Sequence, residues 1–231
     1  MRSAPTSRGH RIVQLPLLLT SIREDLQRHG LAPTLADVAI RAINRVLPFT
    51  VARGLYVGVV DSAYLQVNGR YRCGFLDRTA LLQYCRYEYE LSEEFLQKAL
   101  AKGDQCFGIL DGDALASYGW YSNHATDVSE DLQLHFDHRY MYMYKGFTHP
   151  SYRGQRLHAI GMTMALKHYL DHGFNGLVSY VESNNFSSLK SVFRMGYREF
   201  GSIYMVKVFG RYIIHCTRGC RDYRFGVEPR W

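Results

Sequence analysis

The 231-residue sequence has no apolar run long enough to cross a bilayer. The apolar stretch near its start, Leu15 to Leu19, is broken by Pro16 and followed by Arg23, Glu24 and Asp25, whereas a spanning helix needs about 20 apolar residues. A small-residue cleavage site is also missing, so no secretory leader is expected; a peripheral membrane contact stays open. There is no dense run of lysine or arginine. The basic residues are spread along the chain, yet they outnumber the acidic ones 28 to 21, for a net charge of +7 and a pI near 9.2. That excess suits anionic partners such as phosphates, an acidic carrier protein, nucleic acid or a lipid surface. The lack of a basic cluster argues against nucleic acid. The five cysteines, Cys73, Cys85, Cys106, Cys216 and Cys220, are odd in number and irregular in spacing. This excludes a regular disulfide framework and fits a reducing cytoplasm. His215, Cys216 and Cys220 lie close in sequence, but no second ligand pair with zinc spacing accompanies them, so no metal is expected. Internal repeats and low-complexity segments are absent.

What is present is a globular composition, 47% hydrophobic and 21% charged. After a loosely ordered lead-in to about residue 33, Leu35, Val38, Ala39, Ala42, Ile43, Val46 and Leu47 recur at helical spacing, with Thr34 as N-cap and Pro48 as terminator. Strand patterns follow. Residues 55–67 and 70–76 flank Asn68-Gly69, which predicts a hairpin. Helices are expected over 78–88 and 92–102, the second capped by Ser92. Strands 105–110 and 114–121 join through Asp111-Gly112-Asp113. The polar stretch 122–138 reads as a long irregular loop, a candidate lid or binding loop. A strand over 139–148, a helix over 155–172, the strand LVSYVE at 177–182, a helix over 186–195 and a hairpin of 198–208 with 211–217 complete the chain. Strands alternating with helices and flanked by hairpins predict a mixed sheet with packed helices, an α/β or α+β layered domain.

The most informative stretch is YKGFTHPSYRGQRLHAIGMTMALKHYL, residues 144–170. It reads as a strand, a basic turn with Arg153 and Gly154, and a helix. The first N–H groups of a helix have no intrahelical partner and its dipole favours negative charge there, so this is an anion-site arrangement. Arg153 and Arg156 add donors suited to phosphate oxygens.

Residues 73 to 217 resemble the GNAT superfamily of acyl-CoA N-acyltransferases. HPSYRGQRLHA at 149–159 is similar to the family's glycine-rich pyrophosphate turn, and NFSSLKSVFRMGY at 185–197 is similar to its "N…A…LY..LGF" segment. The resemblance implies a mixed, mostly antiparallel sheet flanked by helices over 55–220, after an N-terminal helical extension, 1–54, and before a tail, 221–231. It implies acyl-CoA as co-substrate. Phe147 and Thr148 would end a strand that splays from its neighbour and pair with the pantetheine arm. The N–H groups of Arg153, Gly154, Gln155, Arg156, Leu157 and His158 would cradle the pyrophosphate, and Asn185 would fix the pantetheine or acyl end. The sequence departs from the family pattern at Arg156 and His158, where glycines are usual, and at Val192, where a tyrosine commonly protonates the leaving thiolate.

An amine must be neutral to attack a thioester, so a base or a water wire has to take a proton. Glu182 is the first candidate, with Asp137, His138 and His149 as others. Tyr140, Tyr142 and Tyr144 share a strand face and read as packing residues rather than an acceptor pocket. Three functions compete: transfer from acyl-CoA to a small amine, transfer from an acyl carrier protein as in long-chain N-acyl amino acid synthases, and an inactive GNAT-like binding or membrane-associated module.

Overall fold

Each strand of this fold has two distinct faces, because successive side chains along a strand point to opposite sides. A computed structural model describes residues 49–230; the lead-in and the stripe from Leu35 to Leu47 lie outside the described residues. These residues belong to a unit that begins at Leu47. Its strands are β1 (Phe49–Val57), β2 (Tyr71–Leu76), β3 (Gln105–Asp111), β4 (Ala114–Ser122), β5 (Thr126–Asp127), β6 (Leu132–His135), β7 (Met141–Thr148), β8 (Leu177–Glu182), β9 (Arg198–Val208), β10 (Arg211–Cys216) and β11 (Gly226–Pro229). Its helices are α1 (Arg78–Leu82), α2 (Glu93–Ala101), α3 (Leu157–Asp171) and α4 (Phe186–Arg194).

Eight strands form one sheet in the order β10-β9-β1-β8-β7-β4-β3-β2. Every neighbouring pair is antiparallel except β7 and β8, which are parallel. One face carries α3: its Ala159, Met162, Ala165, Leu166 and Tyr169 pack with Phe107, Tyr121, Met141 and Met143. Met195 and the half-buried Val192 join the same cluster, which puts the end of α4 on this face too. The other face carries α1 and α2, whose Leu81, Leu96 and Ala99 pack with Cys106, Leu115, Tyr118 and Trp120. The neighbours Cys106 and Phe107, or Trp120 and Tyr121, thus point to opposite layers. The local signals act as expected at the helix ends. Ser92 accepts from the Phe95 N–H at 3.1 Å, and Gly103, Gly173 and Gly196 take the positive φ that closes α2, α3 and α4. A role the sequence did not suggest falls to Asn185, which caps α4 by accepting from the Ser188 N–H at 3.1 Å.

Three expectations are corrected. The hairpin across Asn68-Gly69 does not form: residues 71–76 pair with β3, and the earlier strand is Phe49–Val57, bound between β8 and β9. Asn68 instead makes a local turn, accepting from the Arg70 N–H. Its turn chemistry is real, but long-range pairing sets the partner of each strand. The stretch 122–138 is not a lid. Its strands β5 and β6 join β11 in a second, three-stranded sheet. For the same reason residues 221–230 do not hang as a tail. Phe225 and Val227 are buried with Leu132, Leu134, Tyr142, Val178 and Ile203, and Asp137 accepts three bonds from the Arg139 guanidinium, at 2.8 Å, 3.0 Å and 3.2 Å, beside the residues where β7 begins. Among the described residues no helix is long and apolar enough to cross a membrane.

Phe225 is 2% exposed, so Phe225→Ala should cost about 3–5 kcal/mol, read as a lower urea midpoint. A tail residue would leave the midpoint unchanged.

Candidate functional site

The site begins where β7 leaves β8. The two strands pair only over Met141↔Leu177 and Tyr142↔Val178. Just beyond, the Ser179 hydroxyl donates to the Met143 carbonyl at 2.8 Å. After that the edge of β7 that faces β8 has no strand partner among the described residues. On its other side β7 stays paired with β4 as far as Thr148↔Ser117. A bulge interrupts that ladder, with Trp120 opposite Lys145 and Tyr121 opposite Met143, leaving Tyr144 as the extra residue. Bulges bend a strand and re-aim its side chains. Here the bulge falls where the two strands part.

The open edge leads into the basic turn. After β7, His149 caps a short 3-10 turn, Pro150–Tyr152. Gly154 then takes φ +83° and Arg156 takes φ +60°. A left-handed conformation is routine for glycine and costs other residues roughly 1–2 kcal/mol. The arginine thus adopts the backbone that the expected glycine would supply. The first helical bond of α3 runs from the Ile160 N–H to the Arg156 carbonyl, 3.1 Å, so the N–H groups of Leu157, His158 and Ala159 are the open donors of this end. Arg153, Gly154, Gln155 and Arg156 are exposed. The Leu157 side chain is buried with Ile109 and Ala116 and anchors the helix start, so it offers the site only its N–H.

Tyrosines hold the turn in place. Tyr71 donates to Gln155 Oε1, and Tyr152 donates to Asp111 at 2.8 Å. Asp111 also binds Arg70, whose hydrogen bond is the main cause of the lowered Asp111 pKa. Tyr71 and Asp111 support the site from outside the motif that holds Tyr152. Their separation in sequence hid them: β2–β3 pairing sets Tyr71 opposite Asp111, and the turn after β7 brings Tyr152 to Asp111.

His158 is a second departure with a visible compensation. Its ring lies against the strand at Gly146, where an added Cβ would come within 2.4 Å of His158 Cε1. The glycine missing from the helix is matched by one on the strand. Burial lowers the His158 pKa, which keeps the imidazole neutral near pH 7. The ring borders a cleft of about 310 Å³ that Phe147, Thr148, Ser188, Ser191 and Val192 also line. The structure therefore brings Phe147, Thr148 and His158 to one cleft. Asn185 stands at the head of α4, where its side-chain oxygen caps the helix.

The proposed bases do not gather there. Glu182 is exposed and lines a separate cleft of about 200 Å³ with Thr50, Tyr180 and Lys207. Tyr180 and Glu182 share the face of β8 that carries the small sheet, away from α3. Asp137 and His138 precede β7, whose eight residues put about 25 Å between them and the turn. Asp137 is also buried and held far below the usual carboxylate range by its bonds from Arg139, so it is a structural anion. His149 sits at the turn, but its ring accepts from the Ser151 N–H at 3.4 Å. No group of three or more His, Cys, Asp or Glu among the described residues could hold a metal ion.

No family model matches the sequence, and no curated protein matches it. Solved structures give distant likenesses. One is a GNAT-family acetyltransferase from Colwellia psychrerythraea, at 15% identity and TM-score 0.46, covering 68% of this chain and 55% of that one. A GCN5-related N-acetyltransferase-like protein from Streptococcus suis shows 14% identity and TM-score 0.46, covering 79% and 68%. An aminoglycoside acetyltransferase from an uncultured soil sample shows 14% identity and TM-score 0.42, covering 56% and 90%. The chain thus spans little more than half the length of the first of these. By its own geometry the fold is GNAT-like, a mostly antiparallel sheet flanked by helices with one splayed parallel pair and the turn and helix that follow it. Strand β1 departs from the element order that the resemblance implies, because it precedes residue 73 yet lies between β8 and β9.

Two predictions follow from His158 and Gly146. Gly146→Ala should destabilise by about 1–3 kcal/mol through overpacking, and His158→Ala should relieve part of that loss. A double-mutant cycle in urea should show coupling above about 0.5 kcal/mol; strict additivity would separate the two residues. Second, the folded pKa of His158 lies below the unfolded value of about 6.5. As pH falls through 6.5 the unfolded chain takes up the proton first, so this residue removes stability on the acid side. The stability of wild type relative to His158→Gln should therefore fall from pH 7 to pH 5, measured by unfolding at each pH.

Proposed function

We propose that this protein is an N-acyltransferase that moves an acyl group from acyl-CoA to a primary amine by direct attack within a ternary complex. One observation carries the reading: the unpaired edge of β7 runs directly into a left-handed basic turn and the open N–H groups of α3. An extended amide-bearing arm can add to such an edge as a strand would. Phosphates suit the turn beyond it, where consecutive N–H groups and a helix end favour anions. Both meet the cleft that His158 and Val192 line, which is where the thioester would sit.

The reaction moves two protons. The ammonium first gives one to solvent or a base. The neutral nitrogen then attacks the thioester carbonyl, the C–N bond forms, the C–S bond breaks, and a second nitrogen proton ends on sulfur. Valine cannot supply that last proton. Hydroxyls of Thr148, Ser188 and Ser191 and the His158 ring are the proton-carrying groups at this cleft. Because a thiolate is a fair leaving group near neutral pH, the lack of a tyrosine slows the step without forbidding it. All five cysteines stand as free thiols, which suits a reducing compartment, and we place the reaction in the cytoplasm.

Replacing Arg153 and Arg156 with Ala should weaken acyl-CoA binding at least tenfold in calorimetry, since each charge-assisted contact is worth about 1.5–3 kcal/mol. Equal affinity of wild type and the double variant would remove the turn from the site.

A further inference from the structure

A second cleft, of about 480 Å³, opens on the face of the sheet that α2 covers. Its inner end holds Asp104, whose side chain is 1% exposed. The Asp104 N–H donates to the Ala99 carbonyl at the end of α2, which fixes the residue where helix meets β3. One carboxylate oxygen accepts from the Tyr144 hydroxyl at 2.8 Å and pairs with Lys102 at 3.1 Å. The other oxygen is buried and has no hydrogen-bond partner among the described residues. Buried carboxylate oxygens are rarely left so, and each one calls for an explanation. Lys102 is already engaged with Asp104 and with Thr126, at 2.8 Å.

Three further facts give this cleft a direction. Tyr144 is the bulge residue at the parting of β7 and β8, so the carboxylate stands one side chain from the opening, on the side away from α3. Phe95 and Tyr144, with ring centroids 6.3 Å apart, form an aromatic wall beside it. The outer end carries Lys98 and Arg230, whose side chains are 76% and 48% exposed. Each is held by a surface pair, Glu94 for Lys98 and Asp127 for Arg230. Such pairs are weak and exchange readily for a ligand's charge. The cleft therefore has an aromatic wall and a lysine-paired carboxylate with one unused oxygen inside, and two cations in exchangeable surface pairs at its mouth.

We propose that this cleft is the acceptor site and that it takes an α-amino acid, with the ammonium on Asp104 and the carboxylate toward Lys98 and Arg230. This identification of the acceptor rests on the acyl-transfer reading above. A plain amine would satisfy Asp104 and leave the mouth unused, and a plain acid would do the reverse. The ammonium end would lie nearest the parting of the strands, so the nitrogen meets the thioester from the face opposite the basic turn. Asp104 and Tyr144 act here as positioning residues.

The test is calorimetry on the full chain without donor, using the twenty proteinogenic amino acids. For each one that binds, the matched decarboxylated amine and the matched acid lacking the amino group are then titrated. At least one amino acid should bind, with both analogues at least tenfold weaker. Asp104→Asn and the pair Lys98→Ala/Arg230→Ala should each weaken that amino acid at least tenfold while leaving acyl-CoA affinity unchanged. Should Asp104→Asn fail to fold, the exposed mouth variant carries the test alone. The proposal is overturned if no amino acid binds, if the plain amine binds as tightly as its amino acid, or if the mouth variant binds the amino acid as wild type does. Acyl-CoA titrated separately against wild type tests the other reading. Absence of that binding sinks acyl transfer, whereas its presence without amino-acid binding sinks only the acceptor.

Discussion

The parting of two parallel strands governs the rest of this molecule. β7 and β8 share two residue pairs and then diverge. Backbone groups that lose a ladder need other partners, because unpaired buried N–H and C=O groups are costly. The protein answers locally with the Ser179 hydroxyl on the Met143 carbonyl. Farther along β7 the edge lies open beside a cleft. Neighbouring features follow from that divergence. The bulge at Tyr144 sits there, the basic turn starts at its far end, and the two clefts lie on its two sides.

Close packing explains how a glycine-poor turn keeps its shape. Arg156 holds the left-handed backbone itself. His158 brings a ring where the resemblance suggests no side chain, and Gly146 gives up its Cβ to receive it. Such an exchange between helix and strand is local in space and distant in sequence. Two tyrosines, from β2 and from the turn, bind Gln155 and Asp111 and tie the turn to the far edge of the sheet. The strain of a left-handed arginine is thereby borne by a well-braced loop, as is common where backbone groups meet a ligand.

The third cluster of the core shows why the chain's end matters. Leu132, Leu134, Phe225 and Val227 cover Tyr142, Val178 and Ile203. Tyr142 and Val178 belong to the two strands at the point where they still pair. The small sheet thus clamps the closed end of the opening. A segment that reads as a polar loop and another that reads as a tail together make this clamp, because neither has enough apolar residues to announce a buried strand alone.

Local signals alone placed most elements of the described chain. Strand period, the cap Ser92 and the stops at Gly103, Gly173 and Gly196 act over one or two turns, so they are legible without a partner. The basic turn before α3 was legible for the same reason, since a helix end and its arginines are neighbours in sequence. Partner choice was not legible. Residues 71–76 pair with β3 rather than across Asn68-Gly69, β1 enters the middle of the sheet, and β11 finds β6 across some ninety residues. Nor could the sequence show that Glu182 faces away from the turn, that Gly146 answers His158, or that Asp104 keeps a carboxylate oxygen unpaired beside Tyr144. Those facts are relations between segments, decided by which buried faces meet, and only the tertiary structure brings the faces together.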